Sequence, residues 1–409
     1  MIRHLLKMVW NRKRINGLIM VEIFVSFLVL FIVLTATAYY VSNYFKPLGY
    51  EIQDVWNIHV NSRLPNEGYA GVRSQGLTQL RLAMMDLPEV ESVGWMYAGP
   101  YAHSTWSNGR KFGGKDISIE VNRASDDIQK VLRIPLIRGR WFSAEDNVSN
   151  PVAKPGPDGK PAPRDAGQTP VVINELYAHM LFGSDDPIGK LPLDSTCRVI
   201  GVMKDYRKAG EFSAPVNYQI ERCSFMDTTA IQSGSFYIRL KPGTTAAFQA
   251  KLSAALEAVE KGWSFDIEPL ANAREADFKI RLAPLIAAGV IAAFLLLMVA
   301  LGLIGVLWQN VTQRTREIGL RRALGGTAQN VSWQIRGEQF AITTIGVAVG
   351  SILVLQLPIL DLIDFIPAQI YLTALMASMA LLYILTYLCS MFPSWLAMDI
   401  EPAEALHYE

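Results

Sequence analysis

The sequence predicts an α-helical membrane protein with four transmembrane helices plus a large α+β extracytoplasmic domain. Three observations predict it. The mean hydropathy is positive, +0.21, although 18% of residues are charged. The apolar residues gather in four runs, each close to the ~20 residues that cross a bilayer as a helix. Between the first and second runs lies a polar block of about 240 residues, enough for one large domain or two small ones.

In chain order, a basic cytoplasmic segment (1–17) precedes a first span at 18–41, whose apolar centre is Leu18–Tyr40. Ala36-Thr-Ala38 after a basic start has the form of a signal-peptide cleavage site. The length of the apolar run, and the apolar and aromatic residues that follow it, favour an uncleaved anchor. The polar block fills 42–281. The second span is placed at 284–308, a cytoplasmic loop at 309–338, the third span at 339–357, a short outer loop at 358–370, the fourth span at 371–393 and a cytoplasmic tail at 394–409.

Charge sets the orientation. Lys and Arg outside the block are confined to Arg3, Lys7, Arg12, Lys13 and Arg14 before the first span, and to Arg314, Arg316, Arg321, Arg322 and Arg336 between the second and third. The 358–370 loop carries Asp361 and Asp364 and no base. Basic loops stay inside, so both termini and the 309–338 loop are expected in the cytosol and the block outside. Residues 282–313 and 339–360 hold no Asp, Glu, Lys or Arg. The basic stretch Arg314-Thr-Arg-Glu-Ile-Gly-Leu-Arg-Arg-Ala-Leu-Gly-Gly326 is therefore isolated between apolar runs. Glu317 four residues before Arg321 suits a helix, and Gly325-Gly326 suits its end.

The block alternates strand and helix patterns at both ends. Glu51–Val60 and Val90–Tyr97 read as strands around a helix at Tyr69–Leu87. Gly234–Leu240 and Trp263–Leu270 read as strands around an Ala-rich helix at Thr244–Val259. This predicts a split domain (50–123 and 231–270) with a lobe inserted at 124–230. A helical stalk over 271–283 would lead into the second span. Residues 148–168, rich in Pro, Gly and charge, read as a surface loop. Cys197 and Cys223 lie in the outward block, where oxidation is possible. They form a possible disulfide, the alternative being two separate buried thiols.

Three groups of residues together resemble a known family. The first is Ile134-Pro-Leu-Ile-Arg-Gly-Arg140-Trp-Phe-Ser-Ala-Glu-Asp146. The second is Pro170-Val-Val-Ile-Asn174-Glu-Leu-Tyr-Ala-His-Met-Leu-Phe182-Gly183 with Asp186-Pro-Ile-Gly-Lys190 and Val199-Ile-Gly-Val-Met-Lys-Asp205-Tyr-Arg207. The third is Arg314–Gly326 with Asp399-Ile-Glu-Pro402-Ala-Glu404-Ala-Leu406. The set resembles the MacB/FtsX-like ABC transporter permeases of the mechanotransmission type, over essentially the whole chain.

The resemblance implies a periplasmic domain with a porter-like part and an inserted lobe, in a bacterial inner-membrane protein that works as a dimer with a second copy or a paralogue. It implies a coupling helix near 312–325 that docks on a cytosolic ABC ATPase, with Arg314, Arg316, Glu317, Gly319, Arg321, Arg322, Ala323 and Gly325 as the matching positions. ATP and Mg would be bound by that ATPase, and the permease itself would need no cofactor. A periplasmic adaptor and an outer-membrane channel would complete an efflux pump for a peptide, an antibiotic-like compound or a siderophore. The MacB exporter carries its ATPase fused at the N-terminus, whereas Met1 here stands close to the first span, so a separate ATPase chain is expected. The 148–168 stretch is longer than the family's connection at that point. Within the same family, activation of periplasmic cell-wall hydrolases and lipoprotein extraction are the alternative roles.

Other chemistry is not supported by the residues. Gly183-Ser-Asp-Asp-Pro-Ile-Gly-Lys190 has five residues between its glycines where a P-loop has four, and Leu follows the lysine where Ser or Thr would hold Mg²⁺. The five His stand at 4, 59, 103, 179 and 407, without the close His/Cys spacing of a zinc site. No Gly-x-Ser-x-Gly elbow occurs, so no metal site or catalytic residue is expected. Basic and acidic residues balance within 42–281, which argues against nucleic acid as a partner. Membrane lipid is expected around the spans. Glu22 sits at the cytoplasmic edge of the first span, where a carboxylate can reach water.

Overall fold

A computed structural model describes residues 13–62, 70–102, 106–146, 169–193, 196–223, 234–313, 315, 319–320, 324, 327–360 and 366–398. They fall into two compact units. One, 43–280, is an α/β domain; the other, 1–42 with 281–409, is helical.

In the α/β domain the described strands form a ten-stranded mixed sheet. Its strands are β1 (Val55–Asn61), β2 (Val90–Met96), β3 (Ser107–Phe112), β4 (Lys115–Ala124), β5 (Leu136–Gly139), β6 (Thr169–Asn174), β7 (Cys197–Met203), β8 (Tyr218–Arg222), β9 (Ser235–Leu240) and β10 (Ser264–Pro269). The order is β10-β1-β9-β2-β4-β8-β6-β7-β5, with β3 paired to β4. β4/β8 and β6/β7 are parallel, and the remaining pairs are antiparallel.

Strands β10, β1, β9 and β2 are covered by α2 (Ala70–Met85) and α5 (Phe248–Val259). Apolar positions on those helices (Leu77, Leu80, Met84, Leu252, Leu256) pack on Trp56, Ile58, Trp95, Phe236 and Ile238. All six residues of β9 are buried, as expected of a central strand covered on both faces. Arg239 within it donates to main-chain carbonyls, Nε to Val131 (2.7 Å) and Nη1 to Gln53 (3.0 Å). The second half of the sheet carries α4 (Glu175–Phe182) over Val171, Ile173, Val199 and Val202. The short α3 (Ile128–Leu132) packs into the core between the halves.

β4 pairs with β8 along five residues but with β2 through one, Met96 opposite Ala124. By strand pairing, the second half of the sheet therefore begins with the β3–β4 hairpin, earlier in the chain than the position 124 expected from sequence.

Among the described residues, four helices are long and apolar enough to cross a membrane. They are α1 (Lys13–Tyr44), α6 (Leu270–Gln313), α7 (Ala328–Ile359) and α8 (Ala368–Met398). α6 is one unbroken helix through Pro284. Within the helical unit, α7 and α8 run antiparallel. They are tied by Thr343 Oγ1 to Thr386 Oγ1 (2.9 Å) and Thr344 Oγ1 to Tyr383 Oη (3.0 Å), hydroxyl pairs that hydrocarbon surroundings favour. α1 lies against α7 at Gly346-Val-Ala-Val-Gly350. A Cβ at Gly346 would stand 2.9 Å from Ile23 Cγ2, and one at Gly350 would overlap the Phe27 ring. Small residues four apart let two helix backbones approach closely. Exposed Trp308, Trp333 and Trp395 stand at one end of the bundle, as an interfacial aromatic belt would.

Candidate functional site

The loop between α6 and α7 is the site predicted from sequence. Of its residues, Gly319 is described and is helical, as are Thr315 and Leu320. Arg314, Arg316, Glu317, Arg321, Arg322, Ala323 and Gly325 lie outside the described residues. Leu324 N–H donates to Leu320 C=O (3.0 Å), the i to i−4 bond of a helical turn. Leu320 and Leu324 are both exposed, Leu324 at 79%. The base of the loop is closed by Val311 of α6 against Val331 and Ile335 of α7. Thr327 caps α7, its Oγ1 accepting from Asn330 N–H (3.3 Å). The two helices are thus fixed to each other on either side of the basic segment.

A second constellation lies in the α/β domain, in the loop after β7 (204–213). Asn174, Asp205 and Arg207, from segments separate in sequence, converge there. Buried Asn174 donates through Nδ2 to Asp205 Oδ1 and Val216 C=O (both 2.9 Å). Its Oδ1 accepts from Tyr177 and Tyr218 N–H, capping α4. Asp205 Oδ1 also accepts from Leu176 N–H (2.9 Å).

Arg207, 1% exposed, donates to three main-chain carbonyls: Ser213 (3.0 Å), Lys46 (2.6 Å) and Glu211. Its own N–H reaches Leu48 C=O (3.0 Å) and its C=O accepts from Tyr50 Oη (3.1 Å). The loop is thereby stapled to the segment that follows α1. Gly49, at φ +82°, permits the contact, because a Cβ there would overlap the Asp205 carbonyl.

The same loop holds the start of α6. Glu211, 5% exposed, accepts from Arg274 Nε (2.5 Å) and from Tyr101 Oη (3.1 Å). Burial, with Glu211 beside it, pushes the Tyr101 hydroxyl far above the usual phenol range, so it remains a donor. The hydrogen bond to Glu211 in turn holds the Arg274 guanidinium in its charged form. Phe212 packs between Tyr44 of α1 and Phe278 of α6, with ring centroids at 6.0 and 4.7 Å. Arg274 lies over the Phe278 ring at 4.9 Å. Lys208 pairs with Glu120 of β4 at 3.3 Å.

Asp205 and Arg207 stood out in sequence through their motif. Glu211, Arg274, Tyr101 and Phe278 did not. Nothing in the spacing of a lone carboxylate at 211 points to an arginine 63 residues later.

The possible disulfide is not formed. Cys197 and Cys223 are buried thiols in different apolar clusters. Cys197 lies in β7, paired with Thr169 of β6, and Cys223 follows β8. Among the described residues, no group of three or more His, Cys, Asp or Glu is placed to hold a metal.

The family model for the MacB-like periplasmic core domain matches residues 23–255, more than half of the chain. The chain belongs to this family. The FtsX-like permease C-terminal model matches 289–402, so the membrane half is accounted for as well, and neither model is an ATPase. The macrolide export ATP-binding/permease protein MacB of Marinobacter nauticus is 25% identical over 315 residues, covering 73% of this chain and 45% of that protein. The pyoverdine export ATP-binding/permease protein PvdT of Pseudomonas aeruginosa is 23% identical over 304 residues, covering 72% of this chain and 43% of that one. The chain thus spans less than half the length of either relative. The crystal structure of the periplasmic region of MacB from Actinobacillus actinomycetemcomitans aligns with 57% of this chain and 96% of its own, at 15% identity and a TM-score of 0.34.

Proposed function

We propose that the chain is the permease subunit of an inner-membrane ABC transporter, converting ATP hydrolysis by a separate cytosolic ATPase into motion of its α/β domain. The isolated basic segment Arg314–Gly326, between two apolar helices of an FtsX-like permease half, carries this reading. Basic loops belong in the cytosol, which puts both termini there and the α/β domain in the periplasm. The loop that carries this segment is held at its base by Val311 against Val331 and Ile335, so a push on it can be passed on to both helices. ATP and Mg are bound by the partner, and no cofactor is assigned to this chain.

The permease works as a dimer with a second copy or a paralogue. Motion of α1 and α6 reaches the domain through the 204–213 loop and drives efflux of a peptide, an antibiotic-like compound or a siderophore. A periplasmic adaptor and an outer-membrane channel complete the path. The export roles in the names of the two relatives support the direction of transport.

Docking is tested by charge reversal. With the ATPase that co-purifies from the native host, Arg321→Glu/Arg322→Glu is expected to lose binding at least tenfold while the protein still inserts in the membrane. Full affinity in that variant would exclude the basic segment as the docking element.

A further inference from the structure

The 204–213 loop touches three things at once: the chain leaving α1, the first turns of α6 and strand β4 of the second half of the sheet. On the α1 side, Asn43 Nδ2 donates to Phe212 C=O (3.4 Å), Lys46 Nζ donates to Asn43 Oδ1 (2.8 Å), and Arg207 takes the Lys46 carbonyl. On the α6 side, Glu211 holds Arg274, and Gly210 fits against Asp277. A Cβ at Gly210 would stand 3.2 Å from Asp277 Oδ2 and 2.7 Å from the Tyr101 ring. On the sheet side, Lys208 pairs with Glu120, and the Lys208 carbonyl accepts from Tyr101 N–H (2.8 Å).

We propose that this loop is a clamp, closed on Glu211, that makes the domain ends of α1 and α6 and the second half of the sheet move as one rigid body. The permease reading above supplies only its use, as the point where helix motion enters the domain. A buried carboxylate that accepts at once from a helix arginine and a core tyrosine fixes orientation as well as distance. Phe212, held between the rings of Tyr44 and Phe278, keeps the two helix ends at a set spacing. Glu211 and Arg274 are positioning residues. A loop that only filled space would not need a buried carboxylate paired with an arginine on the first turns of α6.

The test uses the full-length protein in lipid nanodiscs, without any ATPase. Spin labels are placed at Lys279→Cys on α6 and Glu175→Cys on α4, both exposed positions, and their separation is read by pulsed electron paramagnetic resonance. The three native cysteines are buried. The clamp predicts one narrow distance distribution in the wild-type background. Glu211→Gln and Arg274→Met each lose the single peak, and the charge swap Glu211→Arg/Arg274→Glu regains it. A control pair within the sheet and α4, Lys115→Cys with Glu175→Cys, stays narrow throughout.

Equally narrow α6 distances in Glu211→Gln and Arg274→Met would overturn the clamp. So would a control distance that broadens with them, because Glu211 would then be supporting only the fold of its own lobe. Absence of an ATPase partner would sink the transport reading and leave this result standing.

Discussion

At the residue scale the 204–213 loop is held by Arg207, which is buried and donates to three main-chain carbonyls. Arg207→Met would remove the donor to the carbonyls of Lys46, Glu211 and Ser213, of which the Glu211 bond is fully buried and the other two partly so. A buried carbonyl left unsatisfied costs about 1–3 kcal/mol, so the unfolding midpoint of the purified protein is expected to fall by an amount equivalent to about 1–3 kcal/mol. Arg207→Lys should recover only part of this, since one ammonium cannot replace a planar fork aimed at three acceptors. A Lys variant with wild-type stability would show that the three bonds do not act together. Elsewhere, Arg140 holds Asp146 with two bonds of 2.5 and 2.6 Å, and Asp146 also accepts from Ser143 N–H. The Arg140 hydrogen bond holds the Asp146 carboxyl below the usual range. The resulting stabilisation is present above the unfolded pKa of about 3.9 and is lost as pH falls through the lower folded value. Arg140 is half-exposed, which limits the effect to about 1 kcal/mol. Asp146→Asn should therefore cost stability above pH ~5 and cost progressively less below pH ~4. A deficit that is constant across that range would rule out the ion pair as its source.

At the element scale, the α1–α7 contact depends on the absence of side chains at two positions. Gly350→Leu would drive a side chain into the Phe27 ring, and overpacking of a tight contact costs roughly 1–3 kcal/mol. Heating the detergent-solubilised protein should then unfold the helical bundle earlier, with the α/β domain unaffected. Thr386→Val removes one interhelical hydroxyl pair and should cost only about 0.6 kcal/mol. Elements whose periodicity is local were legible in the sequence. The strand expected over 51–60 is observed at Val55–Asn61, and the helix expected over 69–87 at Ala70–Met85. The middle of the domain was not. β3, Ser-Asn-Gly-Arg-Lys-Phe, has no apolar alternation, and its place comes entirely from pairing with β4. α7 begins at Ala328, well before the apolar run at 339. Hydropathy marks where a helix meets lipid, whereas a Thr327 cap marks where it starts. Of the two alternatives open for Cys197 and Cys223, the fold realises two separate buried thiols, held in different apolar clusters.

At the scale of the whole molecule, the chain joins a MacB-like periplasmic core domain to an FtsX-like permease half, and in the proposed mechanism force enters on the short basic loop. The loop was the clearest functional signal in the sequence, because charge between two charge-free runs needs no tertiary information to be seen. The joint at 204–213 was not visible as a joint, since it is made by residues near 46, 101, 207, 211 and 274 that only the fold brings together. The measurement that tests the central claim most directly is a pull-down of the tagged protein from its native host under ATP-trapping conditions, with mass spectrometry of what is retained. Recovery of a separate ABC ATPase, lost when Arg321 and Arg322 are reversed in charge, together with a periplasmic adaptor, is the expected result. Recovery of a cell-wall hydrolase in place of the adaptor would contradict the efflux role, and recovery of no ATPase would contradict the coupling mechanism itself.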